Sequence, residues 1–299
     1  MEGTTKTSLK ELLAQPVTAL VNLEEQVVVS LPFDATVAEA LQLLREKQLL
    51  SVPVKAENNG YLGFFDVLHV AAHLDSVCKD LNSIDSHKFF KRRVRDLLER
   101  SGRECFGKVT ATTTVGQLLE KFVAGLHRVA LMDGDEISKV ITQSDVMRFL
   151  EAKGNLSSVT QQSVKDLGLV KEWVLFINTN DRALNAFKKM VQHSVSAMAV
   201  ADVEKTLMGN LVASDLRFLT NDKEFHDITL PIMSFLHKYK GEGEPVLACK
   251  EDDLLGDVLA HVIHHHYHRL WVVDNKRQPI GVVTLTDICQ AVHRASLEE

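Results

Sequence analysis

A short phrase recurs four times along this chain, and its spacing restricts the fold before any single residue is interpreted. Gly63-Phe64-Phe65-Asp66-Val67-Leu68-His69, Lys139-Val140-Ile141-Thr142-Gln143-Ser144-Asp145, Gly209-Asn210-Leu211-Val212-Ala213-Ser214-Asp215 and Gly281-Val282-Val283-Thr284-Leu285-Thr286-Asp287 are its copies. Each reads as a short apolar strand, and the last three continue through small or hydroxyl residues to an acid. The phrases end at 69, 145, 215 and 287, in steps of 76, 70 and 72 residues. Self-similarity at a regular period marks a chain assembled from repeated supersecondary units.

Around each phrase the same order of elements is expected. In repeat one, Val37, Ala40, Leu41 and Leu44 follow helical spacing, with Thr36 as N-cap. Ser51 to Val54 and Tyr61 to Phe65 read as strands around the turn Asn58-Asn59-Gly60, and Val67 to Leu74 reads as a second helix. Repeat two runs from Thr114 to Leu150, repeat three from Ala183 to Leu219 and repeat four from Leu255 to Val292, each as helix, strand, strand, helix. Further strands are expected at Val27 to Leu31 and Val174 to Ile177.

A unit of about 60 residues buries both faces of so small a sheet poorly, so the units should pack in pairs. The reading is an α/β (α+β) chain of four tandem repeats. It has a flexible N-terminus over 1–20, repeats one and two over 21–153, a polar linker over 154–165, and repeats three and four over 166–299. The basic run Lys88, Lys91, Arg92, Arg93 and Arg95 between the first two repeats reads as a solvated helix face.

Composition narrows the function classes. The chain has 299 residues, 45% of them hydrophobic, and a net charge of −6, which argues against a general nucleic-acid or membrane-surface role. Cys78, Cys105, Cys249 and Cys289 lack CxxC pairing and read as packed, reduced thiols. No stretch approaches a membrane span, and the N-terminus lacks the apolar run of a signal peptide. These features lead to an expectation of a cytoplasmic protein, with the nucleus as second candidate compartment.

The chemistry concentrates at two repeats. His127-Arg128 opens the middle strand of repeat two and His268-Arg269 that of repeat four, 18 and 19 residues before Asp145 and Asp287. A strand start and the end of its antiparallel neighbour lie side by side, so cation and carboxylate can flank one cleft. A carboxylate can accept from both hydroxyls of a ribose, while histidine and arginine neutralise phosphate. The hydroxyls of Thr142, Ser144, Ser214, Thr284 and Thr286 could support either task. For any one acid, capping the following helix is the simpler role; recurrence together with the His-Arg pairs favours a ligand cleft.

These residues resemble the cystathionine-beta-synthase (CBS) domain. Four copies, with phrases such as Ile141-Thr142-Gln143-Ser144-Asp145-Val146 and His268-Arg269-Leu270-Trp271-Val272-Val273, resemble the gamma regulatory subunit of AMP-activated and sucrose-non-fermenting-related protein kinases. The resemblance implies two Bateman modules forming a disk, binding of AMP, ADP or ATP, and no catalytic cofactor. It implies a heterotrimer with a kinase catalytic alpha subunit and a scaffolding beta subunit, working as an energy sensor. It places ribose-binding acids at Asp145, Asp215 and Asp287, and phosphate-binding residues at His127, Arg128, His268 and Arg269. Departures are His69 in place of the first acid, Leu50 where animal gamma subunits carry an arginine, Val212 in place of a hydroxyl, and an acid at Asp145 where animal relatives lack one. The alternative is a stand-alone tandem-CBS scaffold or adenosyl-ligand binder.

The cluster His261, His264, His265, His266 and His268 is read as a polar helix end rather than a metal site, since no HExxH or cysteine partner accompanies it. Asp133-Gly134-Asp135 is a hairpin turn. No nucleophile elbow, phosphate loop or kinase catalytic loop is present, so no enzymatic activity is expected.

Overall fold

The computed structural model describes residues 7–20, 27–78, 84–101, 106–154, 156–170, 174–243, 246 and 248–298. Cys105 lies outside them, while Cys78, Cys249 and Cys289 are buried free thiols whose pKa values burial raises to about 11, 12 and 12.

Each repeat has a leading helix, a strand hairpin and a closing segment. The hairpins are β1 (Ser51–Lys55) with β2 (Tyr61–Asp66), β4 (Arg128–Asp133) with β5 (Glu136–Thr142), β7 (Ala197–Ala201) with β8 (Leu207–Val212), and β10 (Arg269–Val273) with β11 (Pro279–Thr284). β3 (Lys108–Val109), β6 (Phe176–Asn178) and β9 (Ala248–Cys249) add a parallel strand to the last three sheets. In repeat one only a Leu31–Val54 bridge holds that place.

The register is the same four times. Ser51 faces Asp66, Arg128 faces Thr142, Ala197 faces Val212 and Arg269 faces Thr284, and each pairing slips after the fourth residue of the first strand. A bulge at one fixed place keeps every hairpin equally bent. The leading helices, Val37–Glu46, Val115–Val123, Ala183–Gln192 and Leu255–His264, also end alike. Gln48, Gly125, Ser194 and His266 follow them with φ of 55°, 105°, 54° and 54°. This left-handed residue stops the helix and turns the chain into the strand. It also explains the histidine run: His261 and His264 belong to the helix, and His266 is its left-handed terminator.

Contacts divide the chain into two compact units. One joins 29–105 with 175–246, hence repeats one and three; the other joins 1–28, 106–174 and 247–299, hence repeats two and four. Each has its own apolar core. In the 1/3 unit the closing helix Val67–Val77 lies against the leading helix Ala183–Gln192, and in the 2/4 unit Leu285–Glu298 lies against Val115–Val123. The grouping thus joins repeats that are not neighbours in sequence, because the helix of one supplies the apolar face the other lacks.

The N-terminal stretch expected to be flexible and the stretch expected to be a polar linker both contribute to the 2/4 core. Residues 7–20 carry a capped helix, Leu9–Leu13, whose Leu9 and Leu12 are buried in the 2/4 core with Val17. Within 154–165, Leu156, Val159 and Val164 join that core, and Ser163 bridges to Leu254. Short apolar pairs at i, i+3 in polar surroundings carry too weak a periodicity to reveal this. The basic run is also partly structural: Arg95 lies 4.4 Å over the Phe33 ring, Arg93 donates to the Asp34 carbonyl and Arg92 pairs with Asp96.

Gly125 tests the shared terminator. A Cβ there would meet nothing within 4 Å, so the cost of a side chain is purely that of the backbone. Gly125→Ala is expected to lower stability by about 1–2 kcal/mol in denaturant titrations.

Candidate functional site

The repeated acid is first a cap. In repeat two the Asp145 carboxylate Oδ2 accepts from the Thr142 backbone N–H at 2.8 Å and hydroxyl at 2.7 Å, and Thr142 Oγ1 accepts in return from the Asp145 N–H. Repeat four repeats this with Thr284 and Asp287 at 2.9 and 2.6 Å. One carboxylate oxygen does this work in each case, and a carboxylate offers about four lone-pair sites, so acceptor capacity is left for a ligand. Thr142 and Thr284 are therefore committed to the helix start.

The hairpin register then fixes what lies beside each cap. Arg128 is directly across from Thr142, and Arg269 from Thr284. The Gln143 N–H bonds to the His127 carbonyl, and the Leu285 N–H to that of His268, so each histidine joins the first turn of a closing helix. The two helix starts also meet. Buried Gln143 donates to Thr286 Oγ1 at 3.0 Å and to the Leu126 carbonyl at 3.3 Å, while its carbonyl oxygen lies 3.3 Å from His127 Nδ1. Thr286 is thus a link between repeats. Ser144 is half-buried on the same turn.

Four cationic or titratable groups consequently gather within the 2/4 unit. Burial, followed by Arg269, Arg128, His127 and His266, pushes the pKa of His268 down to about 4. His268 is nonetheless an exposed residue, so water offsets part of the burial effect; the direction is what the chemistry uses. Arg269 is lowered to about 10 by burial, with Asp287 opposing, and stays charged at neutral pH. Crowded cations beside two helix N-termini form a place where an anion relieves repulsion.

Asp287 also borders a cavity of about 400 Å³. Gln290, His293 and Arg294 continue along the same helix, with Val123 and Leu169 as apolar lining. Arg294 bonds the Leu167 carbonyl at 3.4 Å and ties that wall in place. The sequence reading missed Gln143, Gln290, His293 and Arg294; their spacing from Asp287 along one helix was the available signal for the last three.

The 1/3 unit differs at the His-Arg positions and at the caps. The register puts Leu50-Ser51 and Ser196-Ala197 where the other unit has His-Arg. In repeat one the capping roles are exchanged: Asp66 is the N-cap, accepting from the Leu68 and His69 N–H groups, and His69 Nδ1 lies 2.9 Å from Asp66 Oδ1. The acid has moved three residues toward the strand. In repeat three, Asp215 Oδ2 accepts the Val212 N–H at 3.0 Å and pairs with Lys240 at 3.1 Å, and the closing segment Ala213–Phe218 is a 3-10 helix. Ser214 is half-buried there.

Among the described residues no group of three or more His, Cys, Asp or Glu side chains could hold a metal ion, and no helix is long and apolar enough to cross a membrane.

A strand hairpin between two helices, written four times with one register and one bulge, defines a tandem-repeat protein of small α/β modules. The CBS-domain family profile matches residues 24–75, 106–152 and 243–294, about half the chain, and the protein belongs to that family. It is 22% identical to the Arabidopsis thaliana "SNF1-related protein kinase regulatory subunit gamma-like PV42a", over 89% of this chain and 91% of the relative. It is 27% identical to Protein SDS23 of Candida albicans over 58% of this chain, and 25% identical to that of Yarrowia lipolytica over 87%. It spans only 30% and 63% of those two fungal proteins. The fold is shared with a Methanocaldococcus jannaschii protein described as an archaeal homologue of g-AMPK, at a TM-score of 0.73 and 18% identity over 92% of this chain and 99% of that one. A conserved Pyrococcus horikoshii protein gives 0.56 at 16%, over 93% and 100%. The profile leaves repeat three unmatched, the repeat that has lost both the capping hydroxyl and the closing α-helix.

His268 yields a pH test. The folded chain resists protonating it, whereas the unfolded chain takes up the proton near 6.5. Its contribution to stability is therefore intact above 6.5 and falls as pH drops toward about 4. Melting temperature should decline more steeply across that window in the wild type than in His268→Gln.

Proposed function

We propose that this chain is a non-catalytic regulatory subunit that binds adenine nucleotides in the 2/4 unit and conveys their phosphate state to a protein kinase. The observation that carries this reading is the convergence of His127-Arg128 and His268-Arg269 on two joined helix starts, each with its acid. The phosphates lie between Arg128 and Arg269 with the His127 and His268 rings beside them, Asp145 and Asp287 hold ribose hydroxyls, and Ser144 supports the phosphate end. The cavity beside Asp287 takes the base, with Gln290 offering an amide to its edge.

AMP, ADP and ATP place different charge on one cationic cluster. Regulation follows if two conformations of the chain differ in their affinity for that charge, since only differential binding shifts a conformational equilibrium. Similarity to the plant gamma-like subunit supports a kinase catalytic alpha subunit and a scaffolding beta subunit as partners, in the cytoplasm. Similarity to the fungal SDS23 proteins favours a second reading, a tandem-CBS scaffold that binds an adenosyl ligand without a kinase. Affinity purification of the full chain from its own cells separates the two: a co-purifying kinase catalytic subunit supports the first, and a nucleotide-binding chain without one supports the second.

Calorimetric titration with AMP, ADP and ATP tests the site itself. Arg269→Ala and Asp287→Ala should each weaken binding roughly 10- to 100-fold, the scale of a lost charge-assisted hydrogen bond. Unchanged affinity in both variants would remove the 2/4 cluster from consideration.

A further inference from the structure

We propose that Lys240 is a built-in partner of the repeat-three acid, its ammonium neutralising the Asp215 carboxylate that a ligand's ribose would otherwise use. Ligand binding is thereby confined to the 2/4 unit. The ligand class rests on the nucleotide reading above; the observation that carries the proposal is separate.

In repeats two and four the acid accepts a threonine hydroxyl from its own cap. Val212 leaves repeat three without that donor, and Lys240 Nζ approaches the same carboxylate oxygen, Oδ2, at 3.1 Å. The pair is enclosed, with 15% of the lysine side chain and 4% of the aspartate side chain exposed. Lys240 Nζ also donates to the Asn210 carbonyl at 3.1 Å, so the ammonium is held from two sides. The acid is thus engaged both by the helix it starts and by a tethered cation.

The fold delivers the lysine to this place. Lys240 is the last residue of the helix Ile232–Lys240, and Gly241 ends that helix with φ of 91°. Ile232 and Phe235 are fully buried, and Leu236 lies so close over Gly209 that a Cβ there would come within 3.0 Å of Leu236 Cδ1. The helix is therefore pinned across β8, and its final residue falls on the acid that follows that strand. Arg45 closes the neighbouring segment, bonding the Phe218 carbonyl at 3.3 Å, Thr220 at 3.2 Å and Glu224 at 2.9 Å.

A ribose at Asp215 would meet a carboxylate whose charge the lysine already balances, and drawing that carboxylate away would leave the ammonium beside the Asn210 carbonyl. Breaking an enclosed ion pair by removing one partner costs far more than breaking an exposed one. Nor would phosphate recover the loss, since Ser196-Ala197 stands in the position of the His-Arg pairs. Lys240 is accordingly a specificity determinant: it sets how many clefts a ligand can enter.

The experiment is equilibrium dialysis of the full chain with saturating adenosine, the portion of the nucleotide that the acid itself would hold. Lys240→Met keeps the apolar stem and removes the charge. It should bind one adenosine per chain more than the wild type, and Lys240→Met/Asp215→Asn should return to the wild-type number. An unchanged number in a folded Lys240→Met variant overturns the proposal. Should that variant melt below the assay temperature, Lys240→Gln, which removes the charge but keeps a donor for the Asn210 carbonyl, takes its place with the same expected gain of one adenosine, and no gain overturns the proposal. A double-variant number below that of the wild type shows that Asp215 already holds ligand and also overturns it. Titration with ADP separates this test from its premise. If the wild type binds no ADP, the nucleotide reading of the 2/4 unit fails while the adenosine count on Lys240→Met still stands.

Discussion

Everything specific about this chain hangs on one backbone pairing, the antiparallel register that sets the first residue of each middle strand across from the last residue of the next. That pairing brings Arg128 to Thr142 and Arg269 to Thr284. Because Thr142 and Thr284 also cap the closing helices, the strand cation, the helix dipole and the helix-start acid meet at one point. The bulge, repeated at the same residue in every hairpin, keeps that meeting point constant. A slip of one residue would send the arginine side chain to the opposite face of the sheet and dissolve the site.

Upon this common frame the two units have diverged chemically. The 2/4 unit keeps its histidines and arginines close together, where burial first and the neighbouring charges second hold His268 neutral, and it keeps its acids at the helix starts. The 1/3 unit turns the same positions inward. Asp66 and His69 satisfy one another, Asp215 takes Lys240, and Arg45 ties the end of the repeat-three segment to Glu224. Polar groups that are mutually satisfied stabilise and specify a core. Groups of one sign crowded together store a preference for an outside partner. The 1/3 unit thus ties its polar groups into internal pairs, while the 2/4 unit gathers two His-Arg pairs at its helix starts.

The segments between repeats supply the contacts that set the 1/3 unit apart. The segment after repeat one brings Phe89 and Phe90 against Phe225 from the segment after repeat three, with ring centroids at 4.5 and 5.4 Å. The helix that carries Lys240 belongs to that second insert. Within it, Phe235 packs against Phe187 and Tyr239, with ring centroids at 5.9 and 5.0 Å, and these contacts help hold the helix where its terminal lysine reaches one carboxylate.

The sequence by itself determined the number of repeats, the order of their elements and the candidate acids and cations, because strand alternation, helical spacing and cap chemistry are local and recur at a fixed period. It also showed where repeat one departs, at His69, although the relocation of the acid to Asp66 needed the cap geometry to be seen. Tertiary structure alone decided which repeats share a core, that Leu9, Leu12, Leu156, Val159 and Val164 enter one of those cores, that Gln143 joins two helix starts, and that Lys240 reaches Asp215. Those facts depend on contacts between residues far apart in the chain. Gln143 and Thr286 are 143 positions apart, and a distance of that kind leaves no periodic trace in the sequence.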